Sequence, residues 1–148
     1  MSENGPGKPR LKSKKNRIIW MFDPPKPPRA VLTEDIKAQV EAAANGLIEE
    51  WKPKYIHPPS TNNDYNYITE LSTKWFRSWF YFCAKYACPS PNAISPSFEI
   101  RFVRLEYVGK DKFNLAYMRH TGQWADTSQG ITLDQWVKLL RTEILYQP

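Results

Sequence analysis

Trp75–Cys88, WFRSWFYFCAKYAC, places seven aromatic side chains in fourteen residues. So apolar a segment has to be covered, and most of the remaining chain reads as its covering. Its alternation fits a β-hairpin better than one long strand. With Arg77 and Ser78 as a two-residue turn, Trp75 pairs with Phe80 and Leu71 with Ala84. One face then carries Leu71, Thr73, Trp75, Phe80, Phe82, Ala84 and Tyr86. The other carries Glu70, Ser72, Lys74, Tyr81, Cys83 and Lys85, with Glu70 opposite Lys85. Such a register predicts one dry and one wet face. Arg-Ser lacks the residues that favour a primed turn, and Phe76 and Trp79 fall on the wet face beside it.

After a Pro-rich loop (Pro89 to Ser97), a second hairpin follows. Phe98 to Val108 is its first strand, Gly109, Lys110 and Asp111 its turn, and Lys112 to His120 its return strand. Val103 then pairs with Tyr117, Leu105 with Leu115 and Tyr107 with Phe113. The opposite face holds Ile100, Phe102 and Met118 at one end and Arg104, Glu106 and Asn114 at the other. The distal end is apolar on both faces unless a bulge near Val103 re-aims the side chains. In this register Arg101 faces Arg119 and His120 faces Ile100. Gln123 to Asp126 is a candidate short fifth strand.

Two helices flank these strands. Thr33 is a candidate N-cap, Glu34 and Asp35 suit the first turn, and Ile36, Val40, Ala43, Leu47 and Trp51 recur at helical spacing. Pro53 should end this helix, predicted over 34–52, and His57 to Asp64 reads as a loop. Thr132 and Gln135 form a capping box, with Ile131 and Trp136 as its staple. Leu133, Trp136, Val137, Leu140 and Ile144 line the predicted helix 133–144. The fold class is α+β: four or five antiparallel strands with an N-terminal and a C-terminal helix.

In front lies an arm and linker, 1–29, leaving 30–148 as a single domain within 148 residues. Lys8, Arg10, Lys12, Lys14, Lys15 and Arg17 crowd into ten residues, a composition expected to be disordered. Arg17 to Phe22 (RIIWMF) is an apolar island that reads equally as an edge strand or a plug. Asp23 to Arg29 holds four prolines and should be stiff and extended. The formal charge is +6; residues 1–17 carry +5 of it, so the body is nearly neutral. That excludes an electrostatic case for a nucleic-acid groove on the body as a whole.

Cys83 and Cys88 leave a strand on opposite faces, so a reducing compartment is the natural reading. No signal-peptide pattern or membrane-length apolar run is present, which places the protein in the cytoplasm.

The run FYFCAKYACPSPNAISPSFEIRFVRLEYVGKDKFNLAYMRHTGQW resembles a group of small bacterial proteins of unknown function. The features are an FYF strand, a Pro/Ser/Asn loop, F-E-x-R-F-x-R-x-E-Y, and F-N-L-A-Y-x-R-H-T-G-x-W. The likeness covers about half the chain, from Trp75 onward. It implies one compact domain and carries no mechanism with it.

His120 is the first candidate for a general base, with Glu99, Glu106 and Asp126 as candidate carboxylates for hydrolysis. Arg101, Arg104 and Arg119 are candidate anion binders. A bonded histidine at a sheet end and cross-strand ion pairs are the commoner uses of such residues. Arg101 facing Arg119, however, strains the pairing account and favours a shared anion. Zinc would have to come from Cys83, Cys88, His57 and His120, which show no ligand spacing, so no metal and no cofactor is expected. Strand aromatics raise single-strand nucleic-acid binding, but the aromatic hairpin's wet face offers only Lys74 and Lys85 as cations. The arm is the stronger binding signal, with affinity for phosphates or an acidic protein surface. The sequence therefore points to a non-catalytic binding protein whose arm docks on a polyanion. A hydrolase built on His120, or a structural subunit of a larger assembly, are the competing classes.

Overall fold

The computed structural model describes residues 30–57 and 65–148. The expectations for the arm, RIIWMF, the Pro-rich linker and most of the loop before Tyr65 fall outside those residues. The elements are α1 (Glu34–Tyr55), β1 (Tyr67–Phe76), β2 (Trp79–Ala87), β3 (Ser97–Gly109), β4 (Lys112–Met118), β5 (Trp124–Ile131) and α2 (Leu133–Thr142). A single 3-10 turn, Ile144–Tyr146, closes the chain. The strands form one antiparallel sheet in sequence order. Among the described residues no helix is long and apolar enough to cross a membrane.

The core lies between the sheet and both helices. Val40, Leu47 and Trp51 of α1 and Trp136 and Leu140 of α2 meet Phe80, Phe82, Leu105 and Leu115 from the strands. Phe82 is fully buried and has Trp51, Phe80, Phe102 and Trp136 around it at 5.5–6.3 Å between ring centroids. Burying such a ring contributes about 1.5–3 kcal/mol before packing is counted.

The β1–β2 register is the expected one from Glu70↔Lys85 to Phe76↔Trp79, with a bulge before Glu70. Arg77 takes φ 57, and the carbonyl of Ser78 accepts from the Tyr107 amide at 3.2 Å. The β3–β4 hairpin also pairs as expected, Val103↔Tyr117 to Tyr107↔Phe113. Gly109, Lys110 and Asp111 all have positive φ, and the Tyr107 hydroxyl accepts from the Asp111 amide at 3.3 Å.

Four boundaries differ from expectation by two residues or more. Helix α1 runs through Pro53 to Tyr55, because one lost amide in a last turn is outweighed by the Ile56 N–H bonding to the Lys52 carbonyl at 2.9 Å and by packing of Trp51 and Tyr55. Helix α2 ends at Thr142: Glu143 turns extended, so Ile144 is exposed and Tyr146 takes the buried place. β5 is longer than expected, reaching Ile131 despite few good strand formers. Side chains tie it down: Asn114 accepts from the Gly130 amide at 3.0 Å, and Thr127 donates to the Leu115 carbonyl at 3.2 Å while accepting from Tyr146 at 2.9 Å. β4 stops at Met118, so Arg119 and His120 are not paired with β3.

The β2–β3 register slips between Phe82↔Val103 and Cys83↔Arg101, leaving Phe102 as the extra residue of a bulge. Phe102 and Val103 are consequently both buried on the helix side. The phase change sends Glu99 and Arg101 to the same outer face as Arg104 and Glu106.

Candidate anion-binding site

Among the described residues no helix covers the outer face of the sheet, and its middle is nonetheless dry: Tyr81 is 7% and Cys83 0% exposed. The expected wet face is corrected at these two residues. Arginine stems and tryptophan rings do the covering. The Arg104 guanidinium lies between Trp79 (4.3 Å) and Trp124 (4.6 Å), and Arg101 lies over Tyr81 (4.7 Å), which in turn meets Trp124 at 5.9 Å. A planar, weakly hydrated guanidinium suits this role where an ammonium would not. The ion pair beside it joins Lys74 and Glu99 at 3.1 Å across the buried Cys83, in place of a Glu70–Lys85 contact. Hydrogen bonds from Lys74 and from the Cys83 thiol hold the Glu99 carboxyl below the usual range, while burial and Glu99 push the Cys83 thiol up to about 12.

β3 runs six residues, Ser97 to Phe102, beyond its last partner in β4, with β2 on one side. On the other side, among the described residues, no strand pairs with it. The chain instead reverses at Arg119–Gln123, where the Arg119 amide bonds to the Gln123 carbonyl and the Gly122 amide to the Arg119 carbonyl, both at 2.9 Å. Between this turn and the open strand edge is a cavity of about 630 Å³, within the range of ligand sites. Tyr81, Glu99, Arg101, Met118 and Trp124 line it from the outer face, Ile100 from the helix side, and Arg119, His120 and Gly122 from the turn.

The electrostatics are one-sided. Glu99 is committed to Lys74, and among the described residues neither Arg101 nor Arg119 is in an ion pair. Two guanidiniums thus line one cavity that holds a single carboxylate, Glu99, which is ion-paired to Lys74 and also attracted by Arg101. The expected pairing of Arg101 opposite Arg119 is not formed, because β4 stops at Met118; the two residues share only the lining of this cavity.

The catalytic candidates divide into two places. His120 and Glu99 share the large cavity, but His120 is exposed in the turn and its side chain bonds to no described residue. It is neither opposite Ile100 nor a bonded sheet-end histidine. Glu106 and Asp126 line a separate hollow of about 140 Å³ with Trp79, Arg104, Asn114 and Gln129. Arg104 reaches Asp126 at 4.0 Å. His57 is spent on the Lys54 carbonyl at 2.8 Å, and both cysteines are free thiols. Among the described residues, no three His, Cys, Asp or Glu side chains are grouped to hold a metal. Lys8, Arg10, Lys12, Lys14, Lys15 and Arg17 lie outside the described residues.

Sequence reasoning missed Trp79, Trp124 and the placement of Arg101. The signal was present in FEIRFVRLEY: Glu99 and Arg101 are in one alternation phase, Arg104 and Glu106 in the other. A bulge at Phe102 puts all four charges on one face.

A family model described as a domain of unknown function (DUF3024) matches residues 32–144. No curated protein and no solved structure matches the chain.

Proposed function

The chain belongs to the DUF3024 family of domains of unknown function, and from that premise we propose a binding protein that docks on an anionic partner. The cavity beside β3 is the body's contact, and the basic arm is a second, less specific one. The observation that carries this is the pair Arg101 and Arg119, facing one cavity with Glu99 already neutralised by Lys74. Residues 30–148 hold thirteen Lys and Arg against thirteen Asp and Glu, so the attraction is local rather than a property of the whole body.

Catalysis finds less support. His120 has no carboxylate bonded to it, and Glu99, the candidate carboxylate that shares its cavity, is ion-paired to Lys74.

The test is binding of labelled polyglutamate to the full chain at two salt concentrations. Arg101→Glu with Arg119→Glu should lower affinity by at least about tenfold. Removing residues 1–22 should flatten the salt dependence while leaving the fold intact. Undiminished binding by the doubly reversed variant would remove the cavity from the account. Unchanged salt dependence in the truncated chain would remove the arm.

A further inference from the structure

Resting on that anion-binding reading, we propose that the occupant is an extended segment of an acidic partner protein. It adds as a strand to the open edge of β3, with acidic side chains beside Arg101 and Arg119. The first support is the edge itself. Four consecutive β3 residues, Phe98, Glu99, Ile100 and Arg101, are exposed, whereas the paired half of the strand is largely buried. An unpaired strand edge presents a row of amide and carbonyl groups, and folded proteins usually blunt it with Pro, Lys or a covering segment. Ser97 to Phe102 contains neither Pro nor Lys, and its bulge lies at the far end.

The side-chain pattern specifies the partner's chemistry. On the helix side of the edge, Phe98 and Ile100 are 38% and 37% exposed. On the outer side stand Arg101, Glu99 in its ion pair with Lys74, and, from the turn, Arg119 and His120. A strand laid along this edge would present alternate residues to the two sides. The matching sequence therefore alternates apolar and acidic residues.

Three other occupants fit less well. Single-stranded nucleic acid needs free ring faces, but Arg101 and Arg104 already occupy faces of Tyr81, Trp79 and Trp124. A second copy paired edge to edge would bring like arginines together. The chain's own arm carries the same sign as the cavity wall, and its apolar island RIIWMF holds no acidic residue to meet Arg101 and Arg119.

The experiment measures binding of a labelled peptide of about ten residues, alternating Glu and Val, to the full-length protein. Two further versions are N-methylated at alternate amides, one in each phase. Strand addition requires that one phase lower affinity by about tenfold or more and the other leave it nearly unchanged. Equal effects of the two phases, with Arg101→Glu and Arg119→Glu still weakening the peptide, would overturn strand addition and leave the anion site standing. Tighter binding of oligothymidine, or a concentration-dependent dimer that the peptide dissolves, would also overturn it. Peptide binding indifferent to both arginines would sink the inference and the reading beneath it.

Discussion

Replacing Arg104 by Ala tests whether the outer face is held by guanidinium–ring stacking. Its side chain is 21% exposed and has a ring on each side, at 4.3 and 4.6 Å. Each such contact is worth about 0.5–2 kcal/mol depending on desolvation. Against this, its Nε is buried without a hydrogen-bond partner, a cost of about 1–3 kcal/mol that the substitution relieves. Asp126, at 4.0 Å and largely exposed, adds under about 1 kcal/mol. The contacts and the lost stem outweigh the relieved donor, leaving a net destabilisation of about 1–2 kcal/mol, or roughly 3–8 °C in Tm. Urea unfolding followed by tryptophan fluorescence and by circular dichroism reads it directly, with the m-value unchanged. Arg104→Lys should lose most of the same amount, because an ammonium keeps the charge without the planar stack. If Arg104→Ala costs under about 0.5 kcal/mol, the stacking is not structural. Trp79 and Trp124 would then be available to a ligand, and the case against nucleic acid would weaken with it.

Phe82→Ala should cost about 3–5 kcal/mol by chemical denaturation, since four rings enclose it and cannot all collapse inward. Thr132→Ala should cost about 1 kcal/mol by the same assay through loss of the capping box on α2. Cys83 is an acid whose pKa is raised from 9.0 to about 12, so its contribution is full below about pH 9 and lost as pH climbs toward 12. Stability measured across that window should fall more steeply in the native chain than in Cys83→Ala, and equal slopes would contradict the assignment. In the folded protein a thiol reagent should modify Cys88, which is partly exposed, well before Cys83.

The two hairpins were legible because each is pinned by a short turn between alternating strands. Placing Arg77–Ser78 gives the β1–β2 pairs from Phe76↔Trp79 to Glu70↔Lys85, and placing Gly109–Asp111 gives the β3–β4 pairs from Tyr107↔Phe113 to Val103↔Tyr117. What escaped lies where one residue alters the phase. A bulge near Val103 was legible as an alternative, but not the residue it frees: packing of Phe102 against Trp51 and Phe82 selects the bulge that unites Arg101 with Arg104. β5 escaped because its pairing depends on Asn114, Thr127 and Tyr146, hydrogen bonds distant in sequence. Pro53 misled because propensity forbids it in a helix interior but tolerates it in a last turn that packing holds. Of the site, the expected opposition of Arg101 and Arg119 does not form, although both residues line the cavity. The early end of β4, which opens the cavity, could not be anticipated.

Amide hydrogen exchange on the full-length protein, with and without the alternating Glu–Val peptide, tests the open edge of β3 most directly. In the free protein, alternate amides of Phe98–Arg101 should exchange much faster than those of Val103–Tyr107, and the peptide should slow those same amides. Slow exchange there before any peptide is added, or protection that appears elsewhere on the sheet, would contradict a free edge built to accept a strand.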